Sequence, residues 1–204
     1  MSHPELAKLS EEYYRWTLQT QPVTASLRGV HDYDTELGEF SREAEDRQIS
    51  ELRAFASRAM AVDESALSQQ DRITRDVLLH ECQTTADVME TRQAEMAVSH
   101  TIGIQTLLPV VVPQLPIETA EHGDALIARF SKSRAAFAEM NDRLAEGLAR
   151  GRAPMRSTAE RTVEQIDGML AAPVAGDPFT LARTPAGVDE ADWRERLANL
   201  VSDE

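Results

Sequence analysis

One cysteine, Cys82, stands in the whole sequence. No disulfide can close within the chain, which fits a reducing compartment. Aromatic residues are scarce at 5 %. The core must therefore come from Leu, Ala, Val, Ile and Met, a palette that suits helices better than sheets. No apolar run approaches the roughly 20 residues of a membrane span. The opening MSHPELAKLSEEYYRW holds no apolar run of signal-peptide type. No cluster of Lys or Arg offsets the net charge of −14, and a surface so acidic repels nucleic-acid phosphate and anionic lipid. Nucleic acid and membrane are set aside as partners, and a soluble cytoplasmic protein is the expectation.

At 204 residues and 42 % hydrophobic, the chain is expected to fold as a single helical domain over 1–204. Helices are predicted near 5–20, 42–61, 69–97, 120–149, 158–171 and 190–203. Leu6, Leu9, Tyr13, Trp16 and Thr20 make an apolar stripe on the first, which Pro22 ends. The segment TASLRGVHDYDTELGEF reads as a loop. Ser41 is a candidate N-cap for a helix carrying Ile49, Leu52, Phe55, Ala56 and Ala59. Ser68-Gln69-Gln70-Asp71 fits a looser capping box. Pro109, Pro113 and Pro116 in TIGIQTLLPVVVPQLP argue against regular helix and for an extended, packed connector. Gly151 is the predicted stop of the fourth helix. The last helix carries Trp193, Leu197 and Leu200 and reaches Glu204 without a stop signal, as in the front part of a longer protein. The expected fold is all-α: antiparallel helices in an irregular bundle with one long proline-rich crossover.

Chemistry-bearing motifs are few. His80-Glu81 begins like a zinc-peptidase helix, but the second ligand position holds Thr84. Ile73, Val77, His80, Thr84 and Val88 share one helical sector, which predicts His80 as a packed histidine. No Glu or Asp lies three residues before any of His3, His31, His80, His100 or His122, so the Glu-x-x-His pairs of di-iron bundles are missing. Metal binding by this chain alone is not expected. No Gly-x-Gly-x-x-Gly, Gly-x-Ser-x-Gly or Cys-x-x-Cys occurs. Cys82 reads as a small buried apolar group.

Chemical variety concentrates in RGVHDYD, Arg28 to Asp34. Turn chemistry accounts for its residue types. It also supplies the candidate ligand or channel contacts, Arg28, His31, Asp32 and Tyr33. Arg150, Arg152 and Arg156 form a second polar cluster, read as caps on helix carbonyls, with a carboxylate ligand as the functional counterpart.

The order of features resembles the start of the bacterial domain-of-unknown-function 885 family. LSEEYYRWTLQTQPVTASLRGVHDYDTELGEFS carries Pro22, Thr24, Ser26, Gly29 and His31-Asp32-Tyr33-Asp34 at matching places. LSQQDRITRDVLLHE, LPIETAEHGDALIARF and LAEGLARGRAPMRSTAERTVEQIDGML continue the match over nearly all of the chain. The resemblance implies a mostly helical zinc metallopeptidase whose His-Glu zinc motif lies far downstream of the matched region. The present chain would then be the N-terminal helical portion, shaping or capping a peptide channel. Zinc is implied only for full-length relatives, no catalytic or metal residue carries over, and the chain is expected to be inactive alone. Its partners would be the C-terminal catalytic region or a peptide. The alternative is a stand-alone helical interaction or scaffold module. A small enzyme using the Arg28–Asp34 loop for acid-base work is a third reading, with nothing to fix a reaction type.

Overall fold

The computed structural model describes residues 3–203. Its helices are α1 (Pro4–Thr20), α2 (Pro22–Leu27), α3 (Arg42–Ala61), α4 (Gln69–Glu90), α5 (Ile104–Val111), α6 (Ala120–Phe130), α7 (Ser133–Ala149), α8 (Arg156–Leu170) and α9 (Glu190–Asp203). Short 3-10 turns join several of them, and no β-sheet occurs among the described residues; an isolated bridge pairs Thr119 with Ala186. The all-α expectation holds. Contacts gather the chain into two compact units. One comprises Met1–Thr20 and Glu39–Ala94, the other Gln21–Gly38 and Glu95–Glu204.

The first unit packs α1, α3 and α4 around Leu6, Leu9, Leu52, Ala59, Leu78 and Cys82. Its helix starts follow the sequence signals. The Ser41 hydroxyl accepts from the Ala44 N–H at 3.1 Å. The Ser68 hydroxyl accepts from the Asp71 N–H at 3.1 Å and donates to the Asp71 carboxylate at 2.6 Å. Helices α3 and α4 run antiparallel: Arg53 of α3 pairs with Asp87 and Glu90 of α4, while Arg92 just beyond α4 pairs with Glu45 and Asp46 near the start of α3. Tyr13, Trp16 and Phe55 form an aromatic cluster with centroids 5.5 to 5.9 Å apart.

The second unit buries Trp193 and Leu197 of α9 with Leu126 and Phe130 of α6. The Trp193 indole N–H donates to the Ala182 carbonyl at 3.3 Å, and Phe130 meets Phe179 edge to face at 5.0 Å. Leu108, Val112, Leu115 and Ile117 from the proline-rich stretch are buried here, as a packed connector requires.

Five local expectations are corrected. The predicted loop after Pro22 contains α2, because proline suits the first turn of a helix, where its missing N–H has no partner to lose. Helix α4 stops at Glu90 rather than near 97. Arg92 turns the chain at φ 60°, and its ion pairs with Glu45 and Asp46 offset the cost of a left-handed non-glycine residue. Residues Ile104–Val111 are helical despite Pro109, the sixth residue of the helix, where the proline removes one ladder bond and the others remain. The predicted 120–149 helix is two, α6 and α7, separated at Ser131 and Lys132 with Lys132 at φ −93° and ψ 0°. His80 is exposed. The sector holding Ile73, Val77 and Val88 faces outward at 51 %, 56 % and 47 % exposure, and α4 buries Leu78, Cys82 and Ala86 instead. The buried stripe is the one without β-branched side chains, and it joins the core that α3 also lines.

Candidate functional site

Helix α6 begins with Thr119, whose hydroxyl accepts from the His122 N–H at 3.3 Å. The His122 ring returns the favour to the preceding turn: its Nδ1 accepts from the Glu118 N–H at 3.3 Å. This reciprocal arrangement is akin to a capping box and fixes the ring at the helix start. Seven residues on, Arg129 lies on the same face of α6. Arg129 is only 1 % exposed. Its guanidinium donates to the Ser26 hydroxyl at 2.6 Å, to the Tyr33 carbonyl at 3.0 Å and to the Pro22 carbonyl at 3.4 Å. Burial pulls its pKa below the usual arginine value, while the Asp34 and Glu36 carboxylates oppose the shift. Its Nε is buried without a hydrogen-bond partner.

Arg129 thus clamps the end of α2 and the following turn against α6. That turn places Asp34 with both carboxylate oxygens engaged. Oδ1 accepts from the Ser26 hydroxyl and lies 3.5 Å from the Arg129 guanidinium. Oδ2 lies 2.7 Å from His31 Nδ1. The His31 ring stacks on that of His122, with centroids 4.1 Å apart and planes 8° from parallel. A cavity of about 10 Å³, lined among others by Ser26, Asp34, His122 and Arg129, has room for one water. His31, Asp34 and His122 each offer one ligand atom, all within 4.8 Å of one another. Imidazole and carboxylate donors suit first-row divalent ions.

Of the four candidate contacts, His31 alone brings its side chain into this cluster. Tyr33 contributes its backbone carbonyl. Arg28 and Asp32 are exposed, and the Arg28 N–H closes α2 by donating to Ala25 and Thr24 carbonyls. Ser26, Asp34, His122 and Arg129 were missed as site residues. A carboxylate three residues after a histidine, and an arginine on the buried stripe of a helix, were the signals available.

The second arginine cluster also differs from expectation. Arg150 and Arg152 turn away from capping and pair with Glu95, whose side chain is wholly buried. Arg156 is exposed at the start of α8. The carboxylate these arginines hold is internal, and it fixes the 93–96 turn against the end of α7. Elsewhere in this unit a cleft of about 250 Å³ opens among Leu108, Phe137, Met169, Leu170, Phe179 and Leu200, with Gln105, Ser133 and Asp177 as polar edges. Such a mostly apolar lining with few polar groups is the usual make-up of a ligand pocket.

Three comparisons bear on this arrangement. The sequence matches the family described as bacterial protein of unknown function (DUF885) over residues 22–204. Among curated proteins, none matches the chain. A solved structure described as that of "the putative lipoprotein from Colwellia psychrerythraea" superposes with a TM-score of 0.75 at 14 % identity. The match covers 97 % of this chain and 38 % of the other, so the chain spans well under half of that protein's length, and the likeness is one of fold. No described helix is long and apolar enough to cross a membrane.

Proposed function

The chain belongs to the DUF885 family, and on that premise we propose that it is the non-catalytic N-terminal helical portion of a zinc-metallopeptidase-like protein, where it shapes or caps a peptide channel. The observation that carries this reading is the apolar cleft between α5, α7, α8 and α9, roughly the size of a pair of large side chains and open to solvent. Phe137 and Met169 line it and are themselves more than a third exposed, as a surface meant to be covered by a ligand would be. The sequence carries no His-Glu-x-x-His site, so hydrolysis would belong to a separate region.

The test is a titration of the purified chain with short peptides bearing one large apolar side chain, alongside an assay of their hydrolysis. Binding without cleavage is expected, and Phe137→Asp should weaken binding about tenfold, the effect of losing roughly 1.4 kcal/mol of apolar contact. Cleavage by this chain alone would overturn the non-catalytic assignment. Binding that ignores Phe137→Asp would overturn the channel assignment.

A second reading, a stand-alone interaction module, is favoured by a different feature: the outward stripe of Ile73, Val77 and Val88 on α4.

A further inference from the structure

The geometry assigns to His31, Asp34 and His122 a binding site for one divalent transition-metal ion of the Zn²⁺ type. The three side chains come from two distant segments, the turn after α2 and the first turn of α6, and each brings one ligand atom within 4.8 Å of the others. Asp34 is oriented for the task. Its Oδ1 is held by the Ser26 hydroxyl and by Arg129, which leaves Oδ2 directed at His31 Nδ1, 2.7 Å away. Hydrogen bonds of this kind to the far side of a carboxylate are what orient metal ligands in general. The Thr119 hydroxyl fixes the His122 backbone, and the His122 ring lies parallel to His31 at 4.1 Å. On ligation its Nδ1 gives up the bond it accepts from the Glu118 N–H, either to bind the ion or to take the proton that Nε2 releases.

The ion replaces the proton shared between His31 Nδ1 and Asp34 Oδ2. That proton leaves to solvent, as metal binding to imidazole and carboxylate requires. Two histidines and one carboxylate then complete three positions of a tetrahedral site, with water in the fourth. The His31 side chain is 35 % exposed, so an ion can enter from solvent. This site is separate from any zinc motif in a downstream region and does not rest on the peptidase reading.

The experiment uses the whole chain, treated with chelator and titrated with ZnCl₂ by calorimetry and with CoCl₂ by visible absorption. One ion per chain and intense cobalt d–d bands are expected. His31→Gln and His122→Gln should each weaken binding about tenfold or more and abolish the bands, with helical circular dichroism retained. Ser26→Ala should weaken binding by about 10–100-fold through Asp34. His80→Gln, at an exposed position of α4, should bind as the parent does. No one-to-one binding in the parent, or binding unchanged in the His31→Gln/His122→Gln double variant, would overturn the site. Should a variant fail to fold, nitrogen-15 histidine spectra of the parent decide: zinc must move the ring signals of two of the five histidines, His31 and His122. Movement of another pair, or of none, overturns the assignment.

Discussion

Cys82 shows how one residue's surroundings set its chemistry. It sits on α4 between Leu78 and Ala86, fully buried, and burial, with the Glu81 charge as a lesser cause, pushes its thiol up to about 11. The thiolate is the reactive form, so the folded chain holds this cysteine inert. Iodoacetamide at pH 8 should leave the native protein unlabelled and modify it fully in denaturant; rapid native labelling would contradict the burial. The raised value also gives a pH dependence. Below pH 9 the thiol is protonated folded or unfolded, and its contribution to stability is complete. Between 9 and about 11 the unfolded chain ionises first, so stability falls as pH rises through that window. Denaturant melts should show this alkaline loss in the parent and lack that part of it in Cys82→Ala. His80, two residues away, has the opposite fate. Helical projection could group it with Ile73 and Val77, but projection alone does not say which of two apolar sectors meets a neighbour, and on α4 the Leu78–Cys82–Ala86 sector is the one buried.

Elements were legible where capping chemistry marked them. Ser41 and Ser68 announce α3 and α4, and both hydroxyls make the bonds their positions imply. Elements were illegible where tertiary contacts decide. The stop of α4 depends on Arg92 reaching Glu45 and Asp46, more than 40 residues earlier in the chain, and no glycine or proline marks it. The break between α6 and α7 is likewise unmarked: it falls at Ser131 and Lys132, the latter paired with Glu36 at 2.8 Å. The end of α7 carries a sharper constraint. A Cβ on Gly147 would lie 2.3 Å from the Glu95 carbonyl oxygen, so only glycine lets α7 approach the 93–96 turn that Arg150 and Arg152 hold. In most helices glycine to alanine stabilises. Here Gly147→Ala should destabilise by about 2 kcal/mol, the order of overpacking in a close contact. Thermal melts of this variant beside Gly168→Ala, where a Cβ meets nothing within 4 Å, separate the two effects. An increase in melting temperature for Gly147→Ala would refute the close approach.

At the scale of the whole molecule, the sequence order hides the candidate site. His31 and Asp34 are neighbours and share a legible loop, but His122 and Arg129 enter from a helix about 90 residues later, and only the contacts of α6 bring them to it. The helical class was legible because composition and periodicity are local. The site was half legible because its other half is a product of topology. The same scale decides between the two functional readings. The α4 stripe of Ile73, Val77 and Val88 is apolar and outward, yet the chain carries a net charge of −14. Like charge opposes self-association at low ionic strength, and salt screens it within about 10 Å at 0.1 M. If the stripe is a self-pairing surface, sedimentation velocity should give a monomer in 20 mM salt and a discrete dimer in 0.5 M salt. Ile73→Lys/Val77→Lys should remain monomeric in both, with its helical circular dichroism intact. That outcome supports the stand-alone module. A monomer at every salt concentration removes self-pairing as the role of this stripe.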